Sequence, residues 1–265
     1  MSQSTPDPDP DDELAGTEQP FVQHLIELRD RIVRAGLAVF VCFALLAIWP
    51  DPKHLYDLLA APLVAHLPHG SHMIATGVVS PFLVPMKVTL LAAFLLALPI
   101  VLYQIWAFVA PGLYSHEKRL VLPLVISSTV LFYAGAAFSY FFVFDKVFGF
   151  IQSFAPDSIT AAPDAEAYLG FAMNMFIAFG AAFEVPVVVV VLARMGLVSV
   201  AQMREWRAYF IVVAFIVAAI ITPPDAASML TLAVCMCVLY ELGLMAAGWF
   251  IRYSSKPEEE PAQEQ

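Results

Sequence analysis

Long apolar stretches alternate with short polar joints along this chain, and the stretches are of membrane-crossing length. About 20 apolar residues cross a bilayer as a helix. Six candidates follow one another: Val33–Trp49, Val88–Ala110, Leu120–Phe144, Tyr168–Leu192, Tyr209–Ile221 and Ala227–Ile251. The fifth has only 13 residues, roughly 20 Å of helix against a hydrocarbon core near 30 Å. Either its helix begins within Trp206-Arg207-Ala208 or the protein thins the bilayer there. Thr222-Pro223-Pro224-Asp225 folds spans five and six into a tight hairpin. Ahead of the first span, Phe21, Leu25, Leu28 and Ile32 recur at helical spacing and predict an amphipathic helix on the membrane surface. Long segments join spans one to two (50–87) and three to four (145–167). The former holds Leu58–Ala65, which suits a short interfacial helix.

Charge sets the orientation. Ten of the 13 Lys and Arg residues fall on one side of this layout: Arg29, Arg31, Arg34, Lys118, Arg119, Arg194, Arg204, Arg207, Arg252 and Lys256. Only Lys53, Lys87 and Lys146 fall on the other, so the excess of basic residues inside predicts that both termini are cytoplasmic. Composition agrees: 60% hydrophobic and 14% charged residues, with mean hydropathy +0.77, exclude a water-soluble enzyme, a nucleic-acid binder and a disordered chain. The net charge of −10 sits almost wholly in the ends. Residues 1–20 and 253–265 therefore read as disordered acidic tails around a membrane domain at 21–252. The acidic, proline-rich start does not form a cleavable signal peptide. Cys42, Cys235 and Cys237 lie in apolar runs and read as small hydrophobes.

No familiar catalytic pattern appears, and the chain reads as no enzyme and as needing no cofactor. His116-Glu117-Lys118-Arg119-Leu120 lacks the second histidine of a zinc-protease helix. His66, His69 and His72 are spaced by three, but Pro68 and Gly70 break the helix that would align them on a metal. The informative residues are acids placed badly for lipid. Glu184, in the middle of span four, costs on the order of 3 kcal/mol to insert. It faces a bundle interior, a wet cavity or a partner, or it is a protonated structural group hydrogen-bonded to a neighbouring helix. Pro186 predicts a kink beside it. Glu241, nearer the cytoplasmic end of span six, pairs with an arginine or serves function. Asp225 reads as a helix N-cap, with partner contact left open. Glu27 and Glu117 are both exposed at the cytoplasmic face, where two carboxylates would bind two guanidinium forks bidentately. Glu27 is equally placed to pair with Arg31 one turn on.

Separated strings then carry a family resemblance: His24-Leu25-Ile26-Glu27-Leu28-Arg29-Asp30-Arg31; Ser80-Pro81-Phe82; Tyr103-Gln104-Ile105-Trp106-Ala107-Phe108-Val109-Ala110-Pro111-Gly112-Leu113-Tyr114; His116-Glu117-Lys118-Arg119; Phe183-Glu184-Val185-Pro186; and Thr222-Pro223-Pro224-Asp225. In order and spacing, residues 21–252 resemble the TatC family of the twin-arginine (Sec-independent) protein translocase. The resemblance implies an all-α membrane protein of the bacterial inner membrane, six spans in a concave, glove-like bundle. It implies a receptor that binds twin-arginine signal peptides of folded cargo and assembles with single-span TatB and TatA, and with further copies of itself, for export driven by the proton-motive force. Nucleic acid has no part in it. By motif, Glu27 and Glu117 would receive the signal arginines, supported by Arg29, Phe108 and Leu113. Glu184 would offer a hydrogen bond to a partner helix. Thr222, Asp225 and span five would lie where TatB and TatA dock, and Pro62 matches a functional proline of the first outer loop. One departure is visible: Gly77 stands where the family often has an acid. The rival from another class is a proton-coupled small-solute transporter with Glu184 as proton carrier. It would bring internal repeats and several midplane polar groups, neither of which the sequence carries.

Overall fold

The computed structural model describes residues 10–65, 73–109, 121–154, 162–222 and 225–254. Among them are α1 (Pro10–Ile48), α2 (Pro52–Val64), α3 (Ser80–Val109), α4 (Val121–Phe138), a π-helical turn (Ser139–Val143), α5 (Phe144–Phe154), α6 (Ala165–Phe183), α7 (Val185–Arg194), α8 (Val200–Glu205), α9 (Arg207–Ile221) and α10 (Ala226–Ser254). Five segments are long and apolar enough to cross a membrane: Val22–Ile48, Ser80–Val109, Val121–Phe150, Ala165–Arg194 and Ala226–Trp249. The shorter apolar helix α9 makes the sixth. Its start at Arg207 settles where the fifth span begins, inside the Trp206–Ala208 string.

Three boundaries differ from those the apolar pattern suggests. The amphipathic stretch and the first span are one unbroken helix, α1, whose backbone is already helical at Pro10, inside the stretch read as a tail. Helix α3 starts at Ser80, well before Val88: Pro81 fits the first turn, where its missing N–H costs nothing, and Thr89 Oγ1 donates back to the Pro85 carbonyl one turn earlier (2.8 Å). The third span does not stop at Phe144. It passes through the π-helical turn into α5, keeping Asp145 and Lys146 exposed while Val147 and Phe148 are buried. The expected interfacial helix is present and longer, as α2, which Asp51 caps by accepting from the Lys53 N–H (3.2 Å).

The main core joins α2, α3, the π turn, α5, α6 and α10 around Phe144, Phe179, Leu169 and Met175. Two tyrosines reach outward from it to hold α2: Tyr168 OH donates to the Leu59 carbonyl (2.6 Å) and Tyr140 OH to that of Leu58 (2.7 Å). A second cluster, with Leu98, Trp106, Phe132 and Val187, ties α3 to α4 and α7. A third, with Val189, Met203, Tyr240 and Leu244, ties α7 to α8 and α10. Close helix approach depends on small residues. A Cβ on Gly135 of α4 would lie 2.4 Å from the Phe179 carbonyl oxygen of α6, and one on Gly243 of α10 would lie 2.9 Å from Pro186 Cα.

Candidate functional site

Two sets of site residues lie at different depths. In the N-terminal half of α1, His24, Glu27 and Arg31 turn to one side, as successive spacings of three and four residues dictate. Arg31 donates from Nε (3.0 Å) and Nη2 (2.5 Å) to Glu27 Oε1. Glu27 Oε2 lies 3.8 Å from His24 Nδ1. The His24 ring stacks on Phe108 of α3, with centroids 4.3 Å apart and planes at 15°, which fastens this turn of α1 to the end of α3. The structure thus brings Glu27 and Phe108 into one cluster. Arg29 does not join it: its guanidinium pairs with Asp30 (2.7 Å) on an exposed face. Glu117 and Leu113 lie outside the described residues.

The second site is the break between α6 and α7. Pro186 has no N–H, so the regular ladder cannot continue through it. The chain turns at Glu184, whose N–H donates to the Ala181 carbonyl (3.1 Å) before α7 resumes. This is the kink that Pro186 predicts. Glu184 lines an apolar groove of about 460 Å³ with Val185 and Val188 of α7, Met203 of α8, Phe210 and Val213 of α9, and Tyr240 of α10. Both carboxyl oxygens are nevertheless buried and without a hydrogen-bond partner. Ser128 of α4 is the polar side chain facing them. Its hydroxyl accepts from Trp106 Nε1 (2.8 Å), and Trp106 is a buried interior residue.

The remaining candidates are engaged locally. Asp225 accepts from the Ser228 N–H (2.6 Å) and is the N-cap of α10. Thr222 is buried and donates to the Ala218 carbonyl (2.8 Å). Pro223 and Pro224 of the same turn lie outside the described residues, as do His66, His69 and His72. Pro62 lies inside α2. Glu241 pairs with Arg207 (2.6 Å). Among the described residues, no three His, Cys, Asp or Glu side chains group as metal ligands would.

One cluster has no counterpart in the sequence reading. Where the segment before α3 meets the start of α6, Ile74 and Asp164 form a parallel β-bridge. The Asp164 carboxylate accepts from Thr76 Oγ1 (2.6 Å), Thr76 N (3.1 Å), Glu166 N and Ala167 N (both 2.9 Å). These donors, Thr76 first, pull its pKa down to about 2. Glu166 accepts from Ser80 Oγ (2.9 Å) and pairs with Lys87 (2.6 Å). This cluster therefore supplies carboxylates of its own although the nearby Gly77 offers none. Their partners are 79 to 88 residues apart in sequence, and no local pattern announces such pairs.

Comparison with known proteins follows the same lines. The model of the family described as Sec-independent protein translocase protein (TatC) matches residues 23–235. The Sec-independent protein translocase protein TatC of Escherichia coli strain K12 is 46% identical over 241 residues, covering 91% of this chain and 93% of that one. Its counterpart in Azotobacter chroococcum is 48% identical, covering 91% and 93%. The Halothiobacillus neapolitanus protein is 49% identical over 88% of this chain, which spans 63% of that longer relative. A crystal structure of a twin arginine translocase receptor, TatC, superposes with a TM-score of 0.75 at 34% identity, over 86% of this chain and all of that one.

Proposed function

The chain belongs to the TatC family, a multi-pass inner-membrane component of the Sec-independent protein translocase and not an enzyme, and from that premise we propose that it is the receptor for twin-arginine signal peptides. Glu27 carries the reading. One of its oxygens is held by Arg31, while the other lies beside the His24–Phe108 stack on a half-exposed face. An arginine fork fits a carboxylate in a way that a lysine ammonium does not. Glu117 supplies the second carboxylate, and Arg29, Phe108 and Leu113 support the bound peptide. Both termini and this face lie in the cytoplasm, as the ten-to-three distribution of basic residues favours.

The groove beside Glu184 receives a helix of TatB or TatA. Its apolar walls suit a membrane-spanning helix, and the unpartnered carboxyl calls for a donor from outside the subunit. The Thr222–Asp225 turn and α9 border the docked helix, Pro62 acts on the outer side, and further copies of the chain complete the receptor complex. The cargo then crosses at the expense of the proton-motive force. A lone midplane carboxyl in an apolar groove is a poor solute path, so the small-solute carrier gains nothing here. The test is capture of the detergent-solubilised protein by an immobilised twin-arginine peptide and by its Lys-Lys counterpart. Retention by the first only, lost in Glu27→Gln, is the expected result. Equal retention by both peptides overturns the proposal.

A further inference from the structure

Arg31 occupies the receptor carboxylate from within. It lies one turn after Glu27 on α1, puts two donors on the single oxygen Oε1, and is the more buried partner, with 19% of its side chain exposed against 37% for Glu27. Arg29, the other guanidinium close by, is committed to Asp30 and does not compete. The remaining oxygen, Oε2, faces His24, whose ring is fixed on Phe108. A fork-to-fork pair needs both oxygens of a carboxylate. With Arg31 in place, an arriving guanidinium has one.

We propose that Arg31 is an internal stand-in for the cargo's guanidinium, which holds Glu27 in the empty receptor and is displaced when a signal-peptide arginine takes both oxygens. This rests on the reading of Glu27 as a cargo-binding carboxylate. The stand-in keeps Glu27 paired and oriented while it waits, and it sets a threshold for engagement. The threshold follows from mass action, since a ligand's apparent affinity falls in proportion to the fraction of receptors whose site is open. An ion pair of this exposure reduces that fraction roughly two- to six-fold. The reduction falls equally on twin-arginine and Lys-Lys peptides. Arg31 therefore controls how tightly a peptide binds without controlling the preference between the two.

The experiment titrates a fluorescent twin-arginine peptide and its Lys-Lys counterpart against the full chain in detergent micelles. The proteins are wild type, Arg31→Met, Arg31→Lys, Glu27→Gln and the Glu27→Gln/Arg31→Met double variant. Arg31→Met is expected to tighten both peptides about two- to six-fold with their ratio unchanged, and the gain is expected to vanish when Glu27 is Gln. Wild-type binding that depends on Glu27, with no gain from Arg31→Met, overturns the inference and leaves the receptor reading standing. Binding indifferent to Glu27→Gln overturns the reading and the inference together. If Arg31→Met does not fold, Arg31→Lys decides: a lysine cannot place two fork donors on Oε1, so binding still tightens, by less. Unchanged or weaker binding in that variant overturns the inference.

Discussion

Glu27 and Glu184 hold the same functional group in opposite circumstances. Glu27 is half-exposed, with Arg31 on one oxygen and His24 near the other. Glu184 sits at the α6–α7 break with both oxygens buried, facing Ser128 but without a hydrogen bond. An exposed ion pair contributes about 0–1 kcal/mol and exchanges one cation for another at little cost. A buried polar group left unpaired costs about 1–3 kcal/mol, which the subunit carries until something pairs with it. The first arrangement suits a site that must capture and release many cargoes. The second suits a joint that is completed by assembly.

Removing the carboxyl is the strongest way to break this comparison. Glu184→Ala is expected to abolish co-purification with TatB and TatA, while the thermal unfolding midpoint of the isolated subunit in detergent stays level or rises. A marked fall in the midpoint would instead make Glu184 a structural group of the monomer. Next in size is a change that disturbs the same region without touching the acid. Gly135→Ala places a methyl 2.4 Å from the Phe179 carbonyl oxygen, a backbone atom that cannot rotate away. Overpacking of this kind costs about 1–3 kcal/mol. The variant should therefore unfold earlier, with Glu184 intact.

At the Glu27 site the expected effect is smaller. Glu27→Gln replaces a charge-assisted bond by a neutral one of about half the strength. It should weaken peptide capture by roughly ten-fold, with stability little changed, because the pair it shares with Arg31 is half-exposed. Capture at the wild-type level would remove Glu27 from the receptor. The latch between Asp164 and Thr76 offers a pH test. The pKa of Asp164 is lowered in the folded chain to about 2, below the usual value near 4 for an unfolded aspartate. Its contribution is therefore fully present above pH 4 and is lost as pH falls toward 2. Protease sensitivity of the outer segments should rise over that interval, and Asp164→Asn should flatten the response.

How much of this was legible in the sequence varies by region. The spans were, because each has to be apolar along its whole length whatever it packs against. The kink at Pro186 and the cap at Asp225 were also legible, since both are properties of a few adjacent residues. The starts and ends were less so. Lys87 and the adjacent Asp145 and Lys146 look like interruptions in a one-dimensional pattern, yet in the helices Lys87 is half-buried and Asp145 and Lys146 are exposed, each beside buried neighbours. Neither the seating of Trp106 on Ser128 nor the joining of Thr76 and Lys87 to Asp164 and Glu166 has a local signal. In each case the partner is set by which helices happen to meet.

The smallest effect expected lies at the ion pair between α9 and α10, beside the Glu184 groove. Arg207 of α9 reaches Glu241 of α10 across 2.6 Å, with 48% and 45% of the side chains exposed. Just inside it, Phe210 stacks on Tyr240 with ring centroids 4.0 Å apart, and both rings line the Glu184 groove. If the stack and the apolar contacts hold α9 in place, the ion pair is dispensable. Arg207→Gln should then shift stability by less than about 1 kcal/mol, and high salt should erase even that difference. Stability of wild type and variant, followed by thermal melts at low and high salt, decides the matter. A larger loss that salt does not erase would mean that the pair fixes the short helix α9 at the groove wall. Assembly at Glu184 would then depend on an exposed ion pair beside the groove.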